Sequence, residues 1–154
     1  GYSEPDPRDD LSGEDVARKF MILARTSGLT IERDEIDVES LSPDDLTEVS
    51  LEEFMQGVSN YDEQWSERIN KAVENGNTLR YIGTLKDGKV TIGVEEVPKD
   101  SPLGQLTGTD NMVQIKSSRY SVSPITIQGP GAGKEVTAAG ILADILKISS
   151  IIVD

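Results

Sequence analysis

Cysteine and histidine are both missing from this chain, and each absence removes whole mechanisms. Without cysteine there are no disulfides, no thiolate zinc sites and no thiol nucleophile. Without histidine there is no imidazole base and no ordinary serine triad. Any proton transfer falls to Lys, Asp, Glu or Tyr. Aromatic residues are scarce at 5%, and 15 Lys and Arg face 28 Asp and Glu. No apolar run approaches the ~20 residues of a membrane-spanning helix. The net charge of −13 repels phosphate backbones and anionic head groups, so neither nucleic acid nor membrane is an expected partner. It suits a cationic or zwitterionic ligand. No basic start with an apolar stretch opens the sequence, so no signal peptide is expected and the cytoplasm is the expected compartment.

What is present suits a globular domain with a real core: 154 residues, 36% hydrophobic and 28% charged. The opening Gly1 to Leu11 is rich in Pro and Asp and reads as non-helical, because Pro5 and Pro7 bias their predecessors toward extended backbone. Ser12 with Asp15 resembles a capping box. Val16, Phe20 and Leu23 repeat at helical spacing, and Gly28 supplies a stop, which predicts a helix from about Gly13 to Ser27. Ile31, Ile36 and Val38 are strand-like, Ser42 to Asp45 is a turn, and a short helix is expected over Leu51 to Gly57. A longer helix capped by Ser59 or Asn60 runs to about Glu74, with Trp65, Ile69 and Val73 on one face. Two strands flanking Lys86-Asp87-Gly88-Lys89 predict a hairpin. Met112 to Ile115 and Ile125 to Gln128 read as two more strands, and a final helix covers about Glu135 to Ile148, with Val136, Ala139, Leu142 and Ile145 or Leu146 on its buried side. The expected class is α+β, a mostly antiparallel or mixed sheet with helices on one face.

Two segments could carry chemistry. In the first, Asp15 and Lys19 lie one helical turn apart, so the carboxylate can orient the ammonium. Glu4, Asp6, Asp9 and Asp10 precede the same helix, where negative charge is favoured. Read from geometry alone, such a pair is more often a solvated surface pair worth ~0.3–0.5 kcal/mol, and such acids are more often caps. The second segment is Gly129-Pro130-Gly131-Ala132-Gly133-Lys134-Glu135. A Gly-rich loop before a helix can bind phosphate through backbone N–H groups, or simply allow close backbone packing. It lacks the Gly-Lys-Ser/Thr of a P-loop and the setting of a dinucleotide fingerprint.

The run Gly1-Tyr-Ser-Glu-Pro-Asp-Pro-Arg-Asp-Asp-Leu-Ser-Gly-Glu-Asp-Val-Ala-Arg-Lys19 closely resembles the signature of homoserine dehydrogenases, oxidoreductases that reduce L-aspartate 4-semialdehyde to L-homoserine with NADP or NAD. Ser3 stands where many relatives carry Thr. The resemblance implies that Lys19 transfers the proton, that Asp15 contacts substrate and holds the lysine, and that Glu4 lies against the reacting end of the substrate. It implies that Asp10 receives the substrate amino group, with Tyr2 also on the substrate side. No role is assigned to Asp6, Arg8 or Asp9 beyond loop capping and surface charge pairing. Hydride attack on the aldehyde carbon develops an alkoxide, to which a protonated lysine can donate.

In that family a similar glycine loop opens the C-terminal helix, which packs beside the nicotinamide. Gly133 is therefore the main cofactor-contact candidate, with Gly131 and Ala132 as neighbours. The expected division is a substrate-binding and dimerisation part, residues 1–128, and a part, 129–154, that packs on a nucleotide-binding domain. The resemblance is to the bifunctional aspartokinase type, and it implies a chain cut from a longer protein and inactive alone. It further implies a cofactor held mostly by an upstream domain, a homodimer through the sheet, an aspartokinase neighbour and no metal among these residues. Tyr61 and Trp65 are expected in core or subunit contacts, and Tyr81 and Tyr120 as structural. Two other readings stay open: a noncatalytic dimerisation module, and a dehydrogenase acting on another aldehyde or hydroxy acid.

Overall fold

In the computed structural model, residues 4–152 are described. They form two compact units, one ending at Gly104 and one beginning at Gln105. In chain order the elements are α1 (Pro7–Leu11), α2 (Glu14–Thr26), β1 (Ile36–Val38), α3 (Leu51–Gly57), α4 (Asp62–Glu74), β2 (Asn77–Lys86), β3 (Lys89–Pro98), β4 (Asp110–Ile115), β5 (Ile125–Pro130) and α5 (Lys134–Ile152). The class is α+β with a mixed sheet, as expected. Among the described residues no helix is long and apolar enough to cross a membrane.

The first unit is built on β2 and β3, an antiparallel pair in continuous register from Asn77↔Pro98 to Lys86↔Lys89. Asp87 (φ 52) and Gly88 (φ 78) form the turn. Two successive positive φ values match the right-handed twist of the strands they join. β1 adds in parallel to the outer side of β3, pairing Ile36 with Val90 and Val38 with Ile92. Helix α2 lies on this sheet. Ala17, Ala24, Ile31, Ile36, Val90 and Ile92 are buried together, with Val16, Phe20, Met21, Val38, Tyr81 and Leu85 packed around them. The Phe20 ring presses onto Gly83, where an added Cβ would lie 2.1 Å from Phe20 Cε2.

Three expectations are corrected here. The opening segment contains a helix after all: Pro7 to Leu11 is helical, with Pro7 in the first turn and the Asp6 carboxylate accepting from the Arg8 N–H. Proline is well placed there, because its missing N–H would have no helical partner. Ser12 does not form a capping box with Asp15. It closes α1, and Gly13, at φ 77, is the N-cap of α2 with no side-chain cap bond; the Ser12 hydroxyl accepts instead from the Glu14 N–H at 3.2 Å. On α4 the buried position is Ala72, while Ile69 and Val73 are exposed, because Arg68 takes the sheet-facing position, donating to the Val94 carbonyl at 3.0 Å. Tyr61 donates its hydroxyl to the Asp45 carboxylate.

The second unit holds β4 and β5, antiparallel from Asp110↔Pro130 to Ile115↔Ile125, and α5. The ladder continues into the glycine loop, where the Gly131 N–H donates to the Thr109 carbonyl at 3.1 Å. The face of α5 expected to be buried is exposed at Val136, Leu142, Ile145 and Leu146. That helix is apolar around its circumference, so no one stripe marks an inner side.

Candidate active site

The acidic opening is a closed turn. The Asp10 carboxylate accepts from the Glu4 backbone N–H at 3.0 Å, and Asp6 receives the Arg8 guanidinium at 2.6 Å. Two of the sequence-selected acids, Glu4 before α1 and Asp10 within it, are thereby brought together, and both are exposed. Hydrogen bonds from Arg8 hold the Asp6 carboxyl below its usual range.

Helix α2 starts directly behind this loop. Gly13 adopts a left-handed backbone, and an added Cβ would lie 2.1 Å from the Tyr81 hydroxyl. That hydroxyl donates to the Glu39 carbonyl at 2.8 Å, and the Leu41 N–H donates to the Leu11 carbonyl at 2.8 Å. The joint between α1 and α2 thus abuts Tyr81 of β2 on one side and is bonded to the segment following β1 on the other. One turn into α2, Lys19 Nζ meets the Asp15 carboxylate at 2.6 Å, with side chains 59% and 66% exposed. The structure joins this pair as helical spacing required. An exposed pair is worth only about 0.3–0.5 kcal/mol to stability.

Several residues that fix this frame were not singled out from sequence. Glu14 accepts from Arg33, which holds its carboxyl below the usual range and ties the start of α2 to the segment before β1. The Glu39 carboxylate takes Arg68 at 2.7 Å and the Val94 N–H at 2.8 Å; these two donors, Arg68 first, lower its pKa. Arg8 reaches the carbonyls of Thr47 at 3.1 Å and Val49 at 2.6 Å. No local spacing links these partners, so only an Arg rich in donors beside an unexplained acid could have hinted at them.

In the second unit Gly131 and Gly133 differ. A Cβ on Gly131 would lie 1.9 Å from Asn111 Nδ2, so the absence of a side chain there serves packing. Gly133, at φ 131, has open space around it and accepts the Thr137 N–H as α5 begins; Ala132 lies between them. Tyr2 lies outside the described residues. Among the described residues no group of His, Cys, Asp and Glu is arranged to hold a metal.

The homoserine dehydrogenase family model matches residues 1–146. A maize protein named bifunctional aspartokinase/homoserine dehydrogenase 2, chloroplastic, is 46% identical over 97% of this chain. A homoserine dehydrogenase of Paracoccidioides brasiliensis is 45% identical over 96% of it. The crystal structure of a Candida auris protein of unknown function superposes with a TM-score of 0.88 at 42% identity, covering 96% of this chain. The chain spans 17% of the maize protein, 41% of the Paracoccidioides protein and 42% of the Candida chain. It belongs to the homoserine dehydrogenase family.

Proposed function

We propose that this chain supplies the substrate-binding acids and the proton-transfer group of an NAD(P)-dependent homoserine dehydrogenase interconverting L-aspartate 4-semialdehyde and L-homoserine. The observation that carries the reading is the Asp15–Lys19 contact of 2.6 Å on α2, set directly behind a loop that presents Glu4 and Asp10. The acids suit an ammonium-bearing substrate, which favours an amino acid over a plain hydroxy acid. A bound nicotinamide supplies the hydride. Lys19 Nζ donates a proton to the substrate oxygen as that oxygen gains negative charge, and takes it back in the oxidative direction. Asp15 keeps the ammonium aimed through that contact. Gly133 fits close approach of a flat cofactor ring, since its backbone carries no side chain and the space beside it is open; at Gly131 the space a side chain would take is held by Asn111. Ala132 is a neighbour rather than a contact. Tyr2 joins the substrate side on resemblance alone.

The wider assembly belongs to the same proposal. The β-rich stretches around residues 79–97 and 112–128 form the interface of a homodimer, a nucleotide-binding domain covers α5, and an aspartokinase domain accompanies it as in the maize relative.

The test uses a complete enzyme in which residues 1–154 replace the matching segment of the maize bifunctional relative. Homoserine oxidation with either NAD or NADP is the expected result, and Lys19→Ala is expected to lower kcat by about 10²–10⁴-fold. A Lys19→Ala enzyme with ordinary kcat would remove the mechanism. Folding and dimerisation without any turnover in the parent chimera would favour the noncatalytic module.

A further inference from the structure

All three guanidinium nitrogens of Arg8 donate within the first unit. Its Nε meets both Asp6 carboxylate oxygens at 3.0 and 3.1 Å, and one terminal nitrogen meets Asp6 again at 2.6 Å. The other terminal nitrogen donates to the carbonyls of Thr47 and Val49 at 3.1 and 2.6 Å, with Leu46 at 3.5 Å. The guanidinium carbon lies 5.4 Å from the centre of the Phe54 ring, and that ring is 1% exposed. The Arg8 side chain is 21% exposed, far less than Lys19 or Asp15.

These contacts have a geometric consequence. Glu4 and Asp10 are tied to each other across the turn, but that bond fixes the turn only internally. The Leu41–Leu11 bond holds the far end of α1; the attachment to residues 46–49 runs through Arg8, whose planar fork spans Asp6 on one side and three carbonyls on the other. We propose that Arg8 is a positioning residue for the substrate-binding acids: it holds the Glu4–Asp10 turn against residues 46–49 and Phe54 so that Asp10 meets the substrate amino group and Glu4 its reacting end. The proposal rests on the reading above that Glu4 and Asp10 bind the substrate. A lysine cannot replace the fork, because a point charge with three rotatable donors cannot serve a bidentate carboxylate and a row of carbonyls together. Asp6 is the second member of the device, since its carboxylate both caps α1 and orients the guanidinium.

The test uses the same complete enzyme with the variants Arg8→Lys, Asp6→Asn, Glu4→Gln and Asp10→Asn. Asn keeps the capping capacity at position 6 and removes the charge, so the pair is probed even where Arg8→Lys folds poorly. The readouts are KM for homoserine, KM for the nicotinamide cofactor, kcat, and turnover of 4-hydroxybutyrate, the analogue lacking the ammonium. Arg8→Lys and Asp6→Asn are expected to raise KM for homoserine by about 10–100-fold, leave the cofactor KM unchanged and shrink the preference for homoserine over the analogue. Ordinary homoserine KM in both variants, while Glu4→Gln or Asp10→Asn raises it, overturns the role of Arg8. Loss of stability together with both KM values reduces Arg8 to a fold contact and overturns it too. Ordinary KM in Glu4→Gln and Asp10→Asn overturns instead the reading on which it rests.

Discussion

Single side chains in the first unit hold long-range joints, and their loss can be followed individually. Gly13 combines a left-handed backbone with a neighbour that leaves no room for a Cβ. Gly13→Ala is expected to destabilise the chain by roughly 2–4 kcal/mol, the sum of backbone strain and overpacking. Adding Tyr81→Phe should recover part of that loss in denaturant unfolding, because it removes the hydroxyl nearest the new methyl. Glu39 provides a pH-dependent case. Its carboxyl is held below its ordinary value of 4.5 by Arg68 and the Val94 N–H, so the folded state favours the charged form. That contribution is complete above pH 4.5 and disappears as the pH falls through the lower folded value. Glu39→Gln is therefore expected to cost about 1 kcal/mol near neutrality, with the difference from the parent closing in acid melts. A difference that stayed constant down to strongly acid pH would contradict the assignment. The Asp15–Lys19 pair was readable because one helical turn separates its members. Arg8 was not, since its carbonyl partner Val49 lies 41 positions away, and no local pattern encodes such a meeting.

At the scale of elements, what was readable was what local chemistry decides. The β2–β3 hairpin follows from Asp87-Gly88 between two β-branched and aromatic runs, and the helix Leu51–Gly57 from Leu51, Phe54 and Met55 at helical spacing, with Ser50 and Glu53 capping it reciprocally. Helix α1 was missed because five residues cannot hold a helix by propensity; the Asp6 cap and the Arg8 contacts do so. The start of α2 was misread for a related reason: Ser12 had the chemistry of a cap, but the left-handed Gly13 took the position and Ser12 closed the preceding helix. Gly88 has open space beside it yet a φ of 78. Gly88→Ala is expected to cost about 1 kcal/mol through backbone strain alone, measurable as a lowered urea midpoint with an unchanged slope.

Over the whole molecule, burial is uneven. Ala17, Ala24, Val90 and Ile92 are fully or nearly sealed in the first unit, whereas Val113, Ile127, Ile141 and Leu146 of the second are exposed. Amide exchange of this chain should therefore be slowest in α2 and β3 and fastest in β4, β5 and α5. Val113 and Ile127 stand directly opposite each other across β4 and β5. Charging them as Val113→Glu with Ile127→Glu is expected to abolish the proposed homodimer in sedimentation experiments without shifting the melt of the first unit. The parallel attachment of β1 also bears on how the chain reaches this structure. A hairpin closed by a tight turn forms in about 1–10 μs, but β1 has no edge to join until β3 exists, and the long segment between them, which carries α3, α4 and β2, must first bring its ends together. Changes in the Lys86–Lys89 turn should accordingly slow refolding, whereas trimming Ile36 or Val38 should chiefly hasten unfolding, so the two ends of one sheet would leave opposite marks on the kinetics.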